Sequence, residues 1–179
     1  MRGLTKSSAP RSLPVRALAV SILIESDVGE EWDSGTDWSA LAERAVLAAI
    51  AQSDWPDLAG TEVSVKFTSD EDVRALNAAW RGKDKATNVL SFPMADAPEN
   101  APMLGDIVLA HGVCAREAAE KAVAVETHAT HLVVHGALHL LGYDHERGDV
   151  DAEEMEEIER RALASLGIAD PYAVTEVES

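Results

Sequence analysis

The eleven residues HGALHLLGYDH, from His135 to His145, constrain this chain more than any other segment. They set three histidines in the pattern H-x3-H-x2-G-x2-H. His135 and His139, four apart, lie one above the other on one face of a helix. Gly142 can end that helix, because a residue without a Cβ adopts positive φ at little cost. The chain can then turn and bring His145 back to the point where the first two rings meet. Three neutral imidazoles with one open position form the ligand set of a catalytic zinc ion.

Apart from one residue, this is the spacing of the metzincin proteases. Those enzymes carry Glu after the first His, as the base that activates water. Here that position is Gly136. The motif therefore predicts a metal site and argues against the usual protease chemistry. His131 extends the histidine stripe one turn back, and His128 lies on a nearby face. Both are read as flanking residues, since three histidines and water already fill a mononuclear site. Cys114, the single cysteine, is read as a small buried thiol rather than a fourth ligand.

The chain has 179 residues, enough for one domain with an ordinary core. No apolar run approaches the roughly 20 residues needed to span a membrane. A lone cysteine excludes an internal disulfide and fits a reducing cytoplasm. The net charge of −17 opposes bulk attraction to polyanions, so nucleic-acid binding requires a local basic patch. The central chain has one, in RGKDK, where Arg81, Lys83 and Lys85 face a single Asp84. Residues 1–16 contain Arg2, Lys6, Arg11 and Arg16 and no acid; they are read as a basic flexible extension rather than a targeting segment. Residues 17–168 form the folded domain, and 169–179 are read as a loose acidic tail.

Leu18 to Ile24 reads as a buried strand and Glu25 to Thr36 as an acidic loop. Asp37 caps a helix to about Gln52, with Leu41, Ala45, Val46 and Ile50 on one face. Glu62 to Thr68 alternates as a strand does. Ser69 caps a helix from Asp70 to Trp80, whose acidic first turn suits the helix dipole. Thr87 to Phe92 reads as a strand stopped by Pro93, and Leu104 to Ala110 as another. His111 to Glu126, Thr127 to Leu141 and Asp151 to Leu166 read as helices. Leu132, Val133, Leu138 and Leu140 anchor the histidine helix. The order predicts an α+β domain around one sheet, with too few regular βαβ units for a doubly wound fold.

Three blocks taken in order, RGKDKATNVLSFP (81–93), LGDI (104–107) and HGALHLLGYDH (135–145), resemble the YbeY family of bacterial metal-dependent endoribonucleases. The resemblance covers roughly residues 17–168. Ala86 stands where the family often has proline, and the basic extension lies outside the pattern. The resemblance implies a mixed, four-stranded sheet flanked by helices, related to the zincin arrangement. It implies one zinc ion held by His135, His139 and His145, and a functional arginine at Arg81. It also implies single-strand-specific cleavage in ribosomal RNA processing, at the 3′ end of the small-subunit RNA, and a part in ribosome quality control.

A metal ion can stabilise charge on a phosphate and activate water without a protease glutamate. Arg81 suits a phosphate, since its planar fork donates two hydrogen bonds at once. Lys83 and Lys85 are candidates for backbone phosphates, and Asp144 for orienting a ligand ring. Each of these four also has a structural reading, as a surface charge or a turn residue. Two other functions stay open at this level: a metallohydrolase acting on a peptide, and a non-catalytic ribosome assembly factor with structural zinc. So few cations on so acidic a chain imply that ribosomal particles or protein partners present the RNA.

Overall fold

The computed structural model describes residues 22–94, 98–144 and 148–172. The basic extension, His145 and residues 173–179 lie outside them. Four strands and five α-helices are described: β1 (Leu23–Val28), α1 (Trp38–Gln52), β2 (Glu62–Thr68), α2 (Asp70–Arg81), β3 (Val89–Pro93), β4 (Gly105–Ala110), α3 (His111–Lys121), α4 (Val125–Leu140) and α5 (Asp149–Ser165). The sheet order is β1-β2-β4-β3. β1, β2 and β4 run parallel, and β3 pairs antiparallel with β4 along one edge. This is the mixed α+β sheet expected.

The caps form as their residue types require. Asp37 Oδ1 accepts from the Ala40 N–H at 3.0 Å, and Ser69 Oγ from the Asp72 N–H at 3.1 Å. Strand alternation in β4 serves two faces. Ile107 and Leu109 enter the main core, while Val108 and Ala110 join a smaller cluster with Val73 and Leu90. In the main core, Trp32 packs edge-on against Trp38 and Phe67, and its indole N–H donates to the Thr68 carbonyl at 3.0 Å.

Several boundaries differ from expectation. Of the strand expected at Leu18–Ile24, residues 18–21 lie outside the described residues; β1 as described runs over Leu23–Val28, so Glu25–Val28, expected in a loop, are strand. Among the described residues β1 is an edge strand with a largely exposed face, so its acids sit in water. Pro93 closes β3 rather than preceding its end; an edge strand tolerates a missing N–H. The break between α3 and α4 falls at Ala122, whose φ is 57°, a conformation for which alanine carries no signal. Residues 169–172 are not loose. The Tyr172 N–H donates to Asp170 Oδ1 at 2.8 Å, and its hydroxyl donates to Glu159 at 2.6 Å.

α4 is the central helix. It contacts α1, α3, α5, β3 and β4, and Leu132, Val133, Leu138 and Leu140 are buried as expected. Its approach to the sheet is set by Gly136. A Cβ built there would lie 2.8 Å from Ile107 Cγ2. A side chain there has to displace that of Ile107, so the position of the protease glutamate points at the core beneath the helix. We expect Gly136→Ala to cost about 1–3 kcal/mol, as overpacking of a filled core does. Denaturant unfolding checks this; a loss below about 0.5 kcal/mol would show that Ile107 yields freely.

Candidate metal and phosphate site

α4 ends in a Schellman turn. The Gly142 N–H donates to the His139 carbonyl at 3.0 Å and the Tyr143 N–H to the Leu138 carbonyl at 3.0 Å. Gly142 takes φ 101°, as its place in the motif demands. Tyr143 then anchors the turn. Its ring is buried against Trp55, and its hydroxyl accepts from the Asp54 N–H at 2.9 Å. Burial pushes the Tyr143 hydroxyl up to about 12, so it stays a phenol. Its carbonyl lies 3.0 Å from His139 Nδ1.

A carbonyl only accepts, so His139 Nδ1 carries the proton and Nε2 the lone pair. His135 Nδ1 lies 2.6 Å from Glu159 Oε2 on α5. Burial alone would raise the Glu159 carboxyl. The hydrogen bonds from His131 and His135, with that from Tyr172, outweigh burial and hold it well below the usual carboxylate range. A carboxylate also only accepts, so His135 Nδ1 is the donor there and Nε2 is the nitrogen that faces His139. The two Nε2 atoms are 3.1 Å apart. Two ligands at 2.0–2.1 Å from one tetrahedral ion would be about 3.3 Å apart. Two ring nitrogens at this spacing fit a shared cation.

Among the described residues no three metal-binding side chains converge; the third candidate, His145, lies outside them. His131 Nε2 is 3.5 Å from Glu159 Oε2, behind the pair. His128 Nε2 is 2.7 Å from Glu117 Oε1 and is buried, which lowers its pKa. Cys114 is fully buried in the main core, and burial together with the Glu117 charge pushes its thiol up to about 12.

His135, His139 and Asp144 line a cleft of about 640 Å³ together with Arg81, Lys83 and Lys85. Fifty-four positions separate Arg81 from His135, yet the fold places them in one cavity. Arg81, the last residue of α2, donates from Nη2 to the Ser91 carbonyl at 3.0 Å, and its guanidinium carbon stands 5.9 Å from the centre of the Phe92 ring. The basic loop is tied down as well. Gly82 turns at φ 69°, the Lys83 N–H donates to the Asn77 carbonyl, and buried Asn77 Nδ2 donates to the Lys85 carbonyl at 2.9 Å. Asp84, the loop's one acid, pairs with Arg74 at 2.7 Å.

Two contributors escaped the sequence reading. The Tyr143 carbonyl is a backbone group and leaves no residue signature. Glu159 did leave one. It sits on the apolar stripe of α5, among Met155, Ile158, Ala162 and Leu163, all buried. An acid on a buried stripe needs a partner.

Comparison with known proteins follows the same residues. The profile of the family described as Endoribonuclease YbeY matches residues 27–167. The Endoribonuclease YbeY of Novosphingobium aromaticivorans is 58% identical over 163 residues, which is 85% of this chain and 96% of that protein. That of Rhizorhabdus wittichii is 52% identical over 82% of this chain and 94% of its own length. The solution structure of TM1509 from Thermotoga maritima superposes with a TM-score of 0.51 at 25% identity, covering 81% of this chain and 91% of that one. With its family profile and its relatives in agreement, the chain belongs to the endoribonuclease YbeY family.

Proposed function

We propose that this chain cleaves single-stranded RNA in the Arg81–His139 cleft, with one zinc ion held by His135, His139 and His145. The observation that carries the reading is the pair of histidine Nε2 atoms 3.1 Å apart in a cavity that also holds Arg81, Lys83 and Lys85. An endoribonuclease activity is what the family shares by name. When bound, the metal supplies a Lewis acid for phosphoryl oxygen and brings the pKa of water toward about 7.

The chain's own residues do the rest. Glu159 and the Tyr143 carbonyl hold the two rings in the tautomer that presents Nε2. Arg81, steadied by Ser91 and Phe92, offers a bidentate grip to the phosphate. Lys83 and Lys85 meet the neighbouring phosphates, and Asp144, which lines the same cleft, is the candidate for orienting a ligand ring. RNA brings its own nucleophile in the 2′-hydroxyl, so a site without the protease glutamate is not short of one. Peptide hydrolysis by the protease route lacks its base, because the position after His135 is Gly136. The physiological substrate is ribosomal RNA near the small-subunit 3′ end, presented in the cytoplasm by a ribosomal particle or a protein partner. The charge of −17 and the few cations of the cleft support delivery of the RNA by a partner.

Three measurements check this. His139→Ala should lose bound metal and RNA cleavage together, while Arg81→Ala keeps its metal and slows cleavage by about 100-fold. Casein should remain intact throughout; casein hydrolysis with intact RNA would overturn the reading. Glu159→Gln keeps the shape of the side chain and removes its charge. It should weaken zinc binding by about 10- to 100-fold in competition with a chromophoric chelator, and unchanged affinity would remove Glu159 from the site. Binding of naked single strands should be weak, with log affinity falling against log salt at a slope near −2, roughly −0.7 for each of three phosphates. A slope near zero would place recognition elsewhere.

A further inference from the structure

Trp80, next to Arg81, is 73% exposed, although tryptophan is on average a highly buried residue. It stands over the edge strand. Its ring centre is 6.5 Å from that of Phe92, with the planes at 63°. Phe92 in turn lies under the Arg81 guanidinium. One aromatic pair is thus built onto the residue that the cleft uses for phosphate. The edge-to-face contact and the high exposure leave indole surface open to solvent. Arg81, Lys83 and Lys85 follow it directly in sequence and are exposed.

Resting on the function proposed above, we propose that Trp80 is the stacking platform for a base flanking the cleaved phosphate. Arg81 holds the phosphate, and the indole takes an unstacked base one step along the strand. Aromatic side chains beside a cationic groove are how proteins bind single strands without reading their sequence, because every base has a π-face. A duplex keeps its bases stacked internally and offers none to Trp80. The residue would therefore set the preference for single strands as well as the register of the chain in the cleft. The cations beside Trp80, on a chain that is otherwise strongly acidic, favour a nucleic acid over an apolar protein surface.

The test uses the full chain and a fluorescein-labelled oligoribonucleotide, 2′-O-methylated throughout so that it binds without using a 2′-hydroxyl. Wild type, Trp80→Ala and Trp80→Phe are titrated with the single strand and with its duplex. The expected result is a loss of single-strand affinity of at least about fivefold in Trp80→Ala. Trp80→Phe should stay within about twofold, and the weaker duplex affinity should hardly move. With a cleavable strand, KM should rise in Trp80→Ala by the same factor with kcat unchanged, as for a contact made equally in ground and transition states. Because the side chain is exposed, thermal unfolding of both variants should match wild type.

Equal single-strand affinity in wild type and Trp80→Ala overturns the proposal, as does an equal loss on duplex. If sedimentation shows that Trp80→Ala changes self-association while RNA affinity stays put, Trp80 is a protein contact and the proposal fails. Wild type that cleaves RNA normally with Trp80→Ala indistinguishable from it sinks the platform and leaves the nuclease. Wild type that cleaves no RNA, and matches His139→Ala, sinks the nuclease itself. The non-cleavable strand still reads the platform separately in that case.

Discussion

The closeness of α4 to β4 governs the rest of the molecule. Gly136 lets the helix backbone come down onto Ile107, where a methyl group would already collide. That approach sets the height of His135 and His139 above the sheet, and so their distance from the Arg81 end of α2. Gly105 repeats the device at the start of β4. Its φ is 146°, and a Cβ there would strike the Phe92 carbonyl and Leu140. The strand that carries Ile107 is thus pressed between the end of the histidine helix and the edge strand that steadies Arg81. Apolar packing of this density holds a ligand in position before any ligand arrives.

Polar contacts then orient what packing has placed. The two histidines are tethered from opposite directions, His135 by a carboxylate from α5 and His139 by a carbonyl from the turn that ends α4. Both tethers accept, so both rings present the same nitrogen. Glu159 bears the larger cost, since a carboxylate fully out of water is unfavourable by itself. Its two oxygens are shared among His135, His131 and the Tyr172 hydroxyl, which compensates the burial. Tyr172 is thereby drawn into the site from near the end of the chain, and the last described residues are tied to the helix at its centre.

Charge is distributed to match. The chain carries 32 acidic against 15 basic lysine and arginine residues, yet its cleft gathers Arg81, Lys83 and Lys85. The single acid within that loop is turned to Arg74 on the same helix. An acidic body with a small cationic cleft repels polyanions generally and admits them at one place.

Most element positions were legible in the sequence because the signals are local. Caps at Asp37 and Ser69, alternation in Glu62–Thr68 and the four-residue histidine interval each need only neighbours along the chain to act. The positive φ of Gly142 was legible for the same reason. Tertiary structure decided what no local signal carries. The acidic edge strand at Glu25–Val28 exists because β2 offers a partner. Ala122 breaks α3 from α4 at a positive φ of 57° without a glycine, so its residue type gives no sign of the break. Glu159 and the Tyr143 carbonyl become tethers only once α5 and the turn are docked. By itself, then, the sequence picked out the candidates for a metal and a phosphate, through residue type and helical spacing. The tertiary structure decided that Arg81, His135 and His139 share one cavity, because 54 positions of chain must fold back through β3 and β4 before Arg81 and His135 meet.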